Sequence, residues 1–250
     1  MLKNVIHISL GVIFVIIIYL LAVNWLIYYR IGAFNLQASD IKYRRIFNEQ
    51  IATSSSDIVY ISFGDSLTAG VGVDNYKDSY PYLIAQKIAG TNARVIHFDA
   101  AYPGARTGDI INFLLENAII QKPTIVTILI GTNDVHGNVS SKLFRSNYEF
   151  IIKELKTKTS AKINVVSIPF IGTDSLFLPP FNFYYNQKTL TFNKIIEELS
   201  VQNNINYIDL TTPTRIYAAH DSSYYAVDDF HPSGLGYKYW SKIIYDNLDK

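Results

Sequence analysis

Five short apolar runs rich in β-branched residues alternate with helical stretches through the last four-fifths of the chain. IVYISF (58–63), RVIHF (94–98), TIVTILI (124–130), KINVVSI (162–168) and INYIDL (205–210) are continuously apolar rather than alternating. Strands covered on both faces have that pattern. Between and after them lie helical patterns at 81–89, 107–120, 143–158, 185–202 and 233–248. Such alternation predicts an α/β fold, a three-layer α/β/α sandwich around a flavodoxin-like five-stranded parallel sheet. Ligand sites in that architecture lie beyond the carboxyl ends of the strands, so the residues following each strand carry the chemistry.

A second constraint precedes this domain. Residues 5–29, VIHISLGVIFVIIIYLLAVNWLIYY, contain no charged side chain. About 20 apolar residues cross a bilayer, and Trp25, Tyr28 and Tyr29 gather at the far end, where such rings settle among headgroups. A cleaved signal peptide wants a shorter apolar core and a small-x-small cleavage site. A buried core helix is seldom so long and apolar on every side. The retained signal anchor fits best, giving an anchor at 1–30, a connector at 31–56 and a catalytic domain at 57–250. Lys3 favours the amino terminus inside, whereas Arg30, Lys42, Arg44 and Arg45 pull the other way. Long domains translocate largely regardless of such charges, which places the domain outside the cytoplasm in a single-pass membrane protein. Within the connector, SDIKYRRIFNEQIA from Ser39 reads as a solvated helix, and Thr53 with three serines as a flexible end.

Composition narrows the chemistry. Hydrophobic residues make up 49% of the 250, which allows a filled core, and the formal charge of +1 gives no basic face for nucleic acid. With no cysteine there is no disulfide, thiolate nucleophile or Cys-ligated zinc. The five histidines include no HExxH pair, so neither a metal nor another cofactor is expected.

Four strand ends supply candidate groups. Ser66, in GDSL (64–67), stands on a strand-to-helix turn that either presents its hydroxyl or merely caps the next helix. Gly104, in AYPGART, allows close backbone approach or simply makes a turn. Asn133, in GTND, has an amide able to donate to an oxyanion or to form an Asx-turn. His231, in DDFHP, is the natural base for a serine near neutral pH, and Asp228 can reach its other ring nitrogen. Each residue is ambiguous alone, but the topology brings all of them to one sheet edge.

In this combination the chain resembles the SGNH hydrolases, also called GDSL-like esterases and lipases, over about residues 57–250, and in layout their membrane-anchored bacterial members. The resemblance implies Ser66 as nucleophile, Asp228 and His231 as its partners, and an oxyanion hole from Ser66, Gly104 and Asn133. Asp99 departs from the pattern, standing where the second block often has Asn. The implied activity is a carboxylic ester hydrolase acting through an acyl-enzyme. Alternatives are an acyltransferase serving a cell-envelope glycan and a catalytically silent binding module. Small-molecule, lipid and acylated-glycan esters all remain open as substrates. The apolar loop 170–185 offers Phe177 and Phe181 as substrate-binding groups, with self-packing as the alternative.

Overall fold

The computed structural model describes residues 2–33, 44–52, 57–173 and 175–250. Six strands form one sheet: β1 (Arg44–Phe47), β2 (Ile58–Gly64), β3 (Val95–Ala101), β4 (Ile125–Leu129), β5 (Lys162–Val166) and β6 (Asn206–Ile208). Their order is β1-β3-β2-β4-β5-β6. The last five strands are parallel and follow the expected flavodoxin-like order. From β2 the chain steps first to β3 on one side and then to β4 on the other, so the topological switch point lies at the end of β2.

The sixth strand corrects the expectation of a connector helix and of a purely parallel sheet. β1 lies antiparallel to β3, from Arg44 opposite Phe98 to Phe47 opposite Val95. Its sequence, RRIF, looks too charged for a strand. The reason it becomes one is tertiary: the Arg45 guanidinium meets the fully buried Asp99 carboxylate at 2.5 Å and lies over the Tyr76 ring. Asp99 also accepts from Ser62 Oγ at 3.1 Å and from the Tyr76 hydroxyl. Asp99 thus answers an arginine on an added edge strand. After β1 the expected helix gives way to a turn at 48–52, while its start, 39–43, and the stretch 53–56 lie outside the described residues.

Nine helices are present among the described residues: α1 (Leu2–Ala33), α2 (Tyr80–Ala89), α3 (Thr107–Asp109), α4 (Leu115–Ile120), α5 (Thr132–His136), α6 (Ser141–Lys158), α7 (Phe181–Asn203), α8 (Thr211–His220) and α9 (Gly234–Asp246). A π-helical turn, Ile110–Leu114, joins α3 to α4 within the helix expected at 107–120. α6 starts where Ser140 Oγ accepts from the Leu143 N–H at 3.2 Å, capping an otherwise orphan donor. α9 starts likewise, with Ser233 as its cap.

Successive side chains on β2 enter opposite cores. Ile61 and Phe63 pack with Phe144, Tyr148, Phe192 and Ile196 from α6 and α7, while Tyr60 packs with Tyr80, Tyr237 and Trp240 from α2 and α9. Burying each such side chain contributes about 1.5–3 kcal/mol, which fixes the register of the central strand. A third, smaller core joins α1 to the domain: Val23 and Ile27 meet Leu176, Phe177 and Phe230.

Candidate active site

Ser66 occupies the turn after β2, at the switch point. Its neighbour Asp65 is fully buried and folds the turn, its Oδ1 accepting from the Leu67 N–H at 3.0 Å and its carbonyl from the Ala69 N–H at 2.9 Å. Burial pushes the Asp65 carboxyl up to about 7, and Oδ2 has no hydrogen-bond partner. A neutral acid here suits the apolar surroundings. The Ser66 N–H makes no hydrogen bond among the described residues.

From the opposite side the segment before α9 delivers the imidazole. His231 Nε2 lies 3.0 Å from Ser66 Oγ, and His231 Nδ1 lies 2.5 Å from Asp228 Oδ2. Asp228 Oδ1 accepts from the backbone N–H groups of Phe230 and His231, each at 3.0 Å. Burial would raise the Asp228 carboxyl, but the His231 hydrogen bond and charge, with those two donors, outweigh it and hold the group below its ordinary value. A hydroxyl on an imidazole that a buried carboxylate orients can pass its proton to the ring as it attacks an electrophile.

The loop that carries Gly104 and the helix α5 that carries Asn133 are tied to each other. Gly104 is exposed with φ of +85°, and no atom lies within 4 Å of where a Cβ would stand, so an incoming group meets bare backbone. Its N–H makes no hydrogen bond among the described residues. Asn133 lies in α5, which follows Gly131 with φ of +133°; a Cβ on that glycine would stand 2.6 Å from Ile168 Cδ1. One Asn133 amide hydrogen donates to the Ala105 carbonyl at 3.0 Å, which leaves the second free. Asp134 ties the same two segments, accepting from the Thr107 N–H at 3.0 Å and from Thr107 Oγ1 at 2.6 Å. Burial raises the Asp134 carboxyl against the pull of those bonds. Sequence reasoning passed over this clamp, although Thr107 and Asp134 each stand within three residues of a singled-out position.

The two phenylalanines part company. Phe177, 5% exposed, lines a cavity of about 560 Å³ with Val135, His136, Ile168 and Tyr225. The cavity borders α5 on both sides of Asn133 in sequence but touches neither Ser66 nor His231. Phe181 stands outside it, in a shallower groove with Leu20 and Phe183. The His136 ring packs against Tyr185 at 4.5 Å and Phe177 at 5.5 Å. That burial lowers it to about 4, with the Lys188 charge pushing the same way. No group of acidic and histidine residues able to hold a metal occurs among the described residues.

A sheet covered on both faces thus carries the Ser66–His231–Asp228 line at its topological switch point. The profile of the GDSL-like lipase/acylhydrolase family matches residues 62–239, and the chain belongs to that family. Among solved structures it is similar to a lipase/acylhydrolase from Enterococcus faecalis, at 25% identity over 77% of this chain and 97% of that one, with a TM-score of 0.63. An acetyl xylan esterase from Geobacillus stearothermophilus shares the fold at 18% identity over 77% and 94% of the chains, TM-score 0.62. So does an extracellular lipase from Streptomyces rimosus, at 17% identity over 76% and 100%, TM-score 0.58. A search of curated protein sequences gives no significant match.

Proposed function

We propose that this acylhydrolase cleaves carboxylic esters through an acyl-enzyme on Ser66. The observation that carries the reading is the line Asp228–His231–Ser66, at 2.5 and 3.0 Å. Ser66 Oγ attacks the ester carbonyl as its proton passes to His231 Nε2. Asp228 holds the Nδ1–H and stabilises the imidazolium. The N–H groups of Ser66 and Gly104 and the free amide hydrogen of Asn133 receive the oxyanion. His231 then protonates the departing alkoxide, leaving an acyl-serine. Water, deprotonated by His231, attacks that acyl group and releases the acid, with Ser66 recovering its proton.

The same proposal makes the protein a single-pass membrane enzyme with its catalytic domain outside the cytoplasm. Ser9–Gly32 within α1 is long and apolar enough to span a bilayer, with mean hydropathy 2.7 and little of it buried. A series of 4-nitrophenyl esters of increasing chain length tests the chemistry. The full chain in mild detergent should release nitrophenolate and Ser66→Ala should not. Equal rates from the two proteins would sink the assignment.

A further inference from the structure

α1 is built in two parts. Residues 9–19 are all exposed, whereas Val23 and Ile27 are only 3% and 6% exposed. Contacts with the catalytic domain begin at Tyr19 and run in register to the helix end. The Tyr19 hydroxyl donates to the Pro179 carbonyl at 2.7 Å. Leu20 shares a groove with Phe181 and Phe183. Val23 and Ile27 then pack on Leu176, Phe177 and Phe230. Finally the Arg30 guanidinium meets the Asp229 carboxylate at 2.6 Å. Asp229 and Phe230 are the two residues between Asp228 and His231, so the helix grips the segment that carries the imidazole.

These contacts set a depth scale. At about 1.5 Å per residue, Arg30 stands roughly 16 Å along the helix from Tyr19. The uncharged run 5–22 covers about 27 Å at the same rise, close to a hydrocarbon core of about 30 Å. If that run fills the bilayer, Pro179 and the first turn of α7 lie level with its outer edge. The His231 segment lies at the charged, watery level of Arg30. Exposed rings collect from that edge outward: Phe183 and Tyr184 on the first turn of α7, Trp25, Tyr28 and Tyr29 on α1 just beyond it. Such rings favour the headgroup region.

We propose that the last third of α1 is a wall of the active-site edge, seating the 176–184 segment in the bilayer interface, so that the enzyme takes its ester from a membrane-resident amphiphile. The substrate part rests on the Ser66 ester chemistry proposed above; the seating does not. Because the chain lacks cysteine, single labelling sites are clean. Full-length Phe183→Cys and Ser160→Cys, the latter exposed at the opposite sheet edge, would carry a nitroxide in phosphatidylcholine/phosphatidylglycerol vesicles. The label at 183 should collide with oxygen readily and with an aqueous nickel chelate at least about threefold less often than the label at 160. Equal chelate access overturns the seating, as does shielding of 183 from both reagents, which would mean a protein partner.

Turnover separates the two layers. Arg30→Asp places like charges together and should slow cleavage of a vesicle-dissolved long-chain umbelliferyl ester about tenfold. It should leave aqueous 4-nitrophenyl acetate within about twofold, and Arg30→Asp/Asp229→Arg should restore the first rate. Loss of both activities in the wild type refutes the Ser66 chemistry while the labels still report the seating. An unaltered long-chain rate in Arg30→Asp overturns the role of the helix.

Discussion

Arg45→Met should destabilise the protein severely although Arg45 lies far from Ser66 in sequence. Its partner Asp99 is fully buried, and the Arg45 side chain is only 12% exposed. Removing one member of a buried pair leaves an uncompensated charge, at a cost of about 3–5 kcal/mol. For a domain of this size each kcal/mol lowers the midpoint by about 2–4 °C, so a fall of roughly 6–20 °C is expected. Asp99→Asn in the same background removes the stranded charge while keeping an acceptor for Ser62 and Tyr76. The double variant should therefore regain at least half of the loss. The penalty should also depend on pH. His97 lies 3.5 Å from Asp99; burial holds it below the ordinary imidazole value, Asp99 pulls it up, and Arg45 pushes it further down. A histidine kept neutral in the fold takes up its proton first when unfolded, so stability is lost as pH falls through the unfolded value near 6.5. Without Arg45 the lowering of His97, set mainly by burial, is eased in part. The Arg45→Met deficit should be smaller at pH 5.5 than at pH 8. Calorimetry in mild detergent gives each midpoint. A deficit under about 1 kcal/mol, or a double variant no better than the single, would refute the buried-pair account.

Two further outcomes follow from the site. Asn133→Ala should fold, with about 1 kcal/mol lost with the Ala105 bond, yet turn over an activated ester about 100- to 1,000-fold more slowly; near-native kcat would remove Asn133 from the oxyanion hole. Asp65→Asn should flatten part of the stability–pH curve. With the folded carboxyl at about 7 and the unfolded one near 4, the native state holds the extra proton between them, and wild-type stability falls as pH rises across that window. Thermal midpoints from pH 4 to 8 check this, and parallel curves for wild type and variant would contradict it.

The sheet and its reactive edge were legible because their signals are local. The parallel strands announce themselves as apolar runs, and each candidate group follows a strand or precedes the last helix, so the topology alone predicts convergence. What escaped depends on partners distant in sequence. RRIF becomes a strand only because Asp99 awaits Arg45. α8 hides behind Pro213, which is tolerated in a first turn where its missing N–H is not needed. The grip of α1 rests on Val23, Ile27 and Arg30, spaced four and three residues apart in a helix that is apolar all round, so no stripe stands out. For the same reason Phe177 reads as a loop residue in sequence, although it serves as both cavity wall and helix contact.

The account stands or falls on Ser66 being the residue that carries the acyl group. A fluorophosphonate, which phosphonylates an activated serine, tests this on the full chain with peptide mapping of the adduct. One phosphonyl group on Ser66, formed at a rate that falls sharply in Asp228→Asn, is the predicted result. No adduct, or an adduct mapped to another residue, would contradict the claim.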